Sequence, residues 1–221
     1  VIGAIICMIA SAKVKTTFNK YSQYRSYSGM NGAQVAQRVL EAAGIYDVTV
    51  RHVSGNLTDH YDPSTKTVNL SDPVYNSYSV AALGVAAHEC GHAIQHAKNY
   101  APLSLRSALV PVANFGSMLA WPLILIGLFI NGRSSTLIID LGIVLFSAAV
   151  LFQLVTLPVE FDASRRALVM LRTQNILSDD ELKNTRKVLK SAAFTYVASA
   201  AAAILQLLRI ILLVGGRRDD R

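Results

Sequence analysis

The sequence predicts an α+β protein in which a small domain of β-sheet and helix is combined with about four transmembrane α-helices, the first of them truncated. Three observations predict it. The 221-residue chain is 52% hydrophobic and 16% charged, with a mean hydropathy of +0.37, which is more apolar than an average soluble domain. It carries three long runs almost free of charge, each able to cross about 30 Å of hydrocarbon as a helix rising about 1.5 Å per residue. The polar segments between them show strand-like and helix-like patterns in turn.

Residues 1–12, "VIGAIICMIASA", are apolar but too short to span, and no basic stretch precedes them. They are expected to be the end of an N-terminal transmembrane helix rather than a signal peptide. Residues 13–106 form the first polar segment, opening on a basic stem of Lys13, Lys15, Lys20 and Arg25. In "GMNGAQVAQRVLEAAG", Val35, Val39, Leu40 and Ala43 share one face and Gly44 stops the helix. "YDVTVRHVSG" and "KTVNL" read as two strands joined by the turn-rich "NLTDHYDPST". Of these, "TVNL" (67–70) reads either as an exposed edge able to pair with an extended peptide or as a structural hairpin strand. From Ser79 to about Lys98 the chain reads as an alanine-rich helix.

Three transmembrane helices are expected at 107–131, at 135–159, which carries only Asp140, and at 191–216, which carries only Arg209. Residues 160–190 read as a charged helical segment in which "LSDDEL" supplies a capping box from Ser178 to Glu181. Two cysteines, Cys7 and Cys90, make no disulfide framework and no CxxC pair. The net charge is +7, but the basic residues form no patch interleaved with aromatics, so nucleic acid is not an expected partner and the lipid bilayer is. Segments 13–106 and 160–190 hold 16 of the 21 lysines and arginines, which predicts a cytoplasmic position for them. The tail "RRDDR" falls on the other side and opposes that assignment.

The stretch "GVAAHECGHAIQHA", 84–97, carries the chemistry. In a helix, residues four apart stand one above the other, so His88 and His92 can both turn a ring nitrogen to one ion. His96 lies two turns from His88, roughly 12 Å along the axis, and is expected to be a surface histidine. Glu89 follows the first ligand and sets a carboxylate beside the water such an ion activates. With five histidines and four glutamates in the chain, HExxH arises by chance with a probability of only about 0.2%.

A catalytic zinc takes three protein ligands and keeps a position open. Glu41 falls in the amphipathic helix and Glu181 in the capping box, which leaves Glu160, directly after the second apolar run. Two spans separate Glu160 from the histidines, so the chain returns to the same side of the membrane.

Beyond HExxH, the blocks "DHYDPSTKTVNLSDPVY", "AALGVAAHECGHAIQHA", "APLSLRSALVPVANFGS" and "LPVEFDASRRAL" resemble the YugP-type membrane zinc metallopeptidases from Lys13 to about Leu213. More distantly, HExxH with a glutamate after a transmembrane hairpin resembles the HtpX-type heat-shock proteases and the CAAX prenyl endopeptidases. The resemblance implies an integral protein of a bacterial-type cell membrane with a zincin-like catalytic domain. It further implies one zinc ion (Zn2+) per chain on His88, His92 and Glu160, Glu89 as general base, and protein or peptide substrates near the membrane. The distant relatives carry an aspartate four residues after the ligand glutamate, where this chain has Ser164, a weaker partner for a ligand imidazole. His60, Tyr61 and Arg165 are candidates, on residue type and expected proximity, for contacts to substrate or oxyanion. A second reading is a membrane scaffold whose metal holds the fold or binds peptides without cutting them.

Overall fold

The computed structural model describes residues 2–130 and 133–219, apart from the side chains of 133 and 215–219. In chain order they form α1 (Ile2–Tyr21), α2 (Gly32–Ala42), β1 (Thr49–His52), β2 (His60–Asp62), β3 (Thr67–Leu70), α3 (Asp72–Tyr75), α4 (Val80–Ala97), α5 (Ala101–Phe129), α6 (Arg133–Thr173) and α7 (Asp179–Asp219). The protein is thus mostly helical with one small three-stranded sheet. It divides into two compact units, and α1, α5, α6 and α7 each contribute to both.

One unit gathers the chain up to Ile9, Ser104–Leu157 and the residues from Tyr196 onward. Its helices turn large apolar side chains outward: Phe115, Met118, Trp121, Leu137, Val144 and Leu208 are all exposed. A small cluster of Ile124, Ile139, Ile210 and Val214 fills the inside. Small residues let the backbones touch, as at Gly116, where a Cβ would stand 2.7 Å from the Leu145 carbonyl oxygen. This outward apolarity with small-residue packing is the pattern of helices solvated by lipid. Among the described residues three helices, α5, α6 and α7, are long and apolar enough to cross a membrane, against the four expected with the first truncated. The difference lies in α1, whose apolar stretch gives way to Lys13, Lys15 and Lys20 within the same helix.

The second unit comprises Ala10–Leu103 and Pro158–Thr195. Here apolar side chains point inward: Val35, Val39 and Leu40 of α2, Val68 and Leu70 of β3, Leu83 of α4, Leu171 of α6 and Leu189 of α7 share one buried core. The expected amphipathic helix is α2, started by a reciprocal pair of bonds between Asn31 and Gln34 and stopped before Gly44 at φ +73°. The capping box at the head of α7 also forms, Ser178 and Glu181 bonding each other's backbone N–H.

The sheet differs from the expected two-stranded hairpin. Its order is β1-β3-β2, with β1 parallel to β3 and β2 antiparallel to β3. β2 lies inside the stretch read as a turn, and the turn itself contracts to residues 63–66, where Asp62 accepts bonds from Ser64 and Thr65 and Lys66 takes φ +51°. β3 is therefore the central strand, buried along its whole length, which overturns its reading as an edge open to peptide.

Candidate metal centre

The centre lies wholly within the second unit and rests on α4. Ser79 caps that helix by accepting the Ala82 N–H, and Asn99 at φ +49° ends it, with the Tyr100 N–H returning to the Gln95 carbonyl. Between these ends the helix presents different faces to different neighbours. Cys90 is fully buried and sends its thiol to the Ala36 carbonyl of α2, and burial pushes that thiol's pKa well above the ordinary value. Gly91 faces α6: a Cβ there would stand 2.6 Å from the Ala163 carbonyl oxygen and 3.1 Å from its Cα. Only a glycine allows the two backbones to come so close, and that approach carries α6, with Glu160 on it, to the histidine face.

His88 and His92 stack along this face with ring centroids 4.8 Å apart and planes at 83°. Glu160 is 2% exposed, and its Oε2 stands 3.3 Å from His88 Nε2 and 3.6 Å from His92 Nε2. One donor atom from each of the three lies within 4.8 Å of the others, and this is the one such group among the described residues. Ligands at zinc's usual bond lengths of about 2.0–2.1 Å, arranged tetrahedrally, sit about 3.4 Å from one another. The residues present therefore fit a zinc ion in donor type and number, and the two spacings from Glu160 match it. The two imidazoles are mostly buried yet keep 14% and 12% of their side-chain surface open to solvent.

Both imidazoles are held from behind. His92 Nδ1 donates to Gln95 Oε1 at 3.1 Å, which leaves Nε2 as the atom with a lone pair toward Glu160. Gln95 is fully buried and donates through Nε2 to the Val159 carbonyl at 2.8 Å and to Asp162 at 3.0 Å, so one amide ties the second histidine to the helix turn that bears Glu160. Asp162 is closed off in turn by Arg165 and Arg166, and the Arg166 guanidinium lies over the Tyr100 ring. His88 Nδ1 is met by Ser164 Oγ at 3.1 Å. Burial works against a charged His92, but the neighbouring Glu160 and Glu89 carboxylates outweigh it, so this imidazole holds a proton more tightly than a free one.

Glu89 is 8% exposed and stands outside the three-residue donor group. The remaining candidates have other partners. His60 donates through Nδ1 to the Thr58 carbonyl and accepts at Nε2 from Asn69, which locks it into the sheet. Tyr61, its hydroxyl pKa raised by burial and by the Asp47 and Asp62 charges, bonds Nδ1 of the exposed His96 at 2.9 Å. Arg165 engages Asp162. Gln95 is the member of the centre that sequence reasoning misses. A signal for it exists, because a glutamine three residues after His92 lies on the same helical face.

A chain that carries three apolar helices long enough to cross a membrane and gathers two histidines and a glutamate into one candidate metal site defines a membrane-associated protein with a zinc-type centre. Residues 1–215 match the family described as "Putative neutral zinc metallopeptidase", and the chain belongs to that family. It is 47% identical over 211 residues to the Bacillus subtilis (strain 168) protein named "Putative membrane protease YugP", a match covering 96% of this chain and 92% of that protein. No solved structure matches the chain.

Proposed function

We propose that this protein is a zinc-dependent endopeptidase of the membrane surface, its second unit acting as a zincin-like catalytic domain. His88, His92 and Glu160 hold the ion, and Glu89 serves as general base. The observation that carries this reading is the donor spacing of 3.3 and 3.6 Å about Glu160, with a further carboxylate at Glu89 that the donor group does not use. When bound, zinc supplies a Lewis acid that acidifies water and polarises a carbonyl.

The chain's own residues supply the rest. Glu89 takes a proton from the attacking water and returns it to the nitrogen leaving the cleaved amide, so the same carboxylate acts as base and then as acid. Gln95 holds His92 in the tautomer that keeps Nε2 free, and Ser164 orients the His88 ring through Nδ1. The partial exposure of both histidines leaves an approach for a polypeptide, and the apolar unit supports substrates that are membrane proteins or their loose segments. The basic residues flanking the apolar runs support a cytoplasmic face for this unit.

The test separates an enzyme from a metal-holding scaffold. Detergent-purified wild type is expected to carry about one zinc per chain by elemental analysis and to cleave an unfolded, fluorescently labelled polypeptide. Glu89→Gln keeps the zinc and the melting temperature while turnover falls about a hundredfold or more. Equal turnover by wild type and Glu89→Gln would exclude Glu89 as the base, and zinc-loaded wild type without any turnover would favour the scaffold.

A further inference from the structure

Within the second unit, α1 and α7 run antiparallel beside one another, with Lys13 at Phe194 and Lys187 at Tyr21, and leave a groove of about 500 Å3 between them. Four lysines line it, Lys13 and Lys20 from α1 and Lys187 and Lys190 from α7, and no aspartate or glutamate does. Among the described residues none of the four makes a salt bridge, and the polar contact Lys187 does make is to the neutral Asn184, at 3.5 Å. Their charge is partly met by ring faces instead: Lys13 stands 5.2 Å from the Phe194 centroid, and Lys20 and Lys187 each stand 5.6 Å from that of Tyr21. Gathering four ammonium groups without a counter-charge is unfavourable unless an anion joins them.

We propose that this groove binds the headgroup of an anionic phospholipid. Of the four hydroxyl-bearing residues that line it, Thr16 and Ser191 give their protons to carbonyls of their own helices, so the four ammonium groups, with Thr17 and Tyr21 beside them, are the donors that face an anion. A phosphodiester suits them, because lysine recognises phosphate as a point charge. A lipid fits better than a free anion because each helix turns apolar just beyond its lysines. N-terminal to Lys13, α1 is the uncharged run Ile2–Ala12, and C-terminal to Lys190, α7 is uncharged through Val214 but for Arg209. The basic residues of both helices thus stand where the apolar run begins, at the level of headgroups. Phe194, 39% exposed beside the Lys13 ammonium, offers apolar surface at the same place.

The test uses the full chain in mixed micelles holding equal amounts of dioleoylphosphatidylglycerol and dioleoylphosphatidylcholine, with bound lipid counted by native mass spectrometry. Wild type is expected to retain the anionic lipid preferentially. That preference falls about fivefold for each lysine neutralised in Lys187→Gln and Lys190→Gln. The double Lys→Arg variant keeps it, as does Lys98→Gln, an exposed lysine at the end of α4. Zinc content and melting temperature in lipid-free detergent, unchanged across the set, show that folding is not what was lost. Equal retention of the two lipids by wild type, or an undiminished preference in the Lys187→Gln/Lys190→Gln double variant, overturns the proposal. Displacement of the anionic lipid by inorganic phosphate at equal concentration also overturns it and reassigns the groove to a soluble anion.

Discussion

The two flanks of the metal centre are built differently, although His88 and His92 are one helical turn apart on the same face. Behind His92 stands a buried polar lattice: Gln95, fully enclosed, joins the imidazole to the Val159 carbonyl and to Asp162, and two arginines close the far side. Behind His88 stands one serine hydroxyl, in a half-buried setting. A satisfied buried network fixes orientation because every alternative leaves a polar group without a partner, whereas a half-exposed hydroxyl can be replaced by water. The lattice flank therefore sets the geometry to which the His88 flank conforms, and Val159, adjacent to Glu160, is the residue through which it reaches the third donor.

Both flanks depend on the close approach of α4 to α6, so the largest effect is expected where that approach is blocked. Gly91→Ala places a methyl carbon against backbone that cannot rotate away, and the helices must part. Zinc content measured by elemental analysis should fall to background, with a stability loss of about 1–3 kcal/mol in detergent unfolding. Wild-type zinc retention in Gly91→Ala would show that helix contact does not set the donor spacing. Next in size is Gln95→Leu, which breaks the lattice alone. It strips the Val159 carbonyl and the Asp162 carboxylate of a buried donor, at about 1–3 kcal/mol of stability, and frees the His92 ring. Zinc affinity by chelator competition should weaken about 10- to 100-fold. A loss of stability without a loss of affinity would make Gln95 a core residue and erase the contrast between the flanks.

How much is legible from sequence depends on the range of the interactions. The HExxH stretch is legible because the two imidazoles and the carboxylate proposed as ligands and base all stand on one helix, and α4 itself because Ser79 signals its start. Glu160 is legible at long range only because scarce glutamates and an even number of spans narrow the choice. β2 is hidden, since three residues among Asp, Pro and Ser carry no strand pattern and gain their conformation by pairing with β3. The parallel pairing of β1 with β3 has no local signature at all, because the register is decided by the core that buries β3. The apolar runs announce helices without their ends: α6 continues to Thr173 on the packing of Ala163, Ala167 and Leu171 rather than on lipid. The partner of His88, a single serine four residues past Glu160, is visible only as a departure from distant relatives.

That departure supplies the smallest and sharpest test of the contrast. Ser164→Ala removes the one hydroxyl behind His88, and because water can reach the half-buried position, the expected loss of zinc affinity is below about tenfold, smaller than for Gln95→Leu. Ser164→Asp moves in the opposite direction. A carboxylate accepting from Nδ1 makes a stronger, charge-assisted bond than a hydroxyl and raises the basicity of Nε2, so zinc should be held more tightly by up to about tenfold and released more slowly to a chelator. In the double variant Gln95→Leu/Ser164→Asp the gain should shrink, because a well-oriented His88 cannot compensate for a ring that turns freely at His92. Full additivity of the two changes would mean that the flanks act independently, and the lattice would then orient His92 alone rather than the centre as a whole.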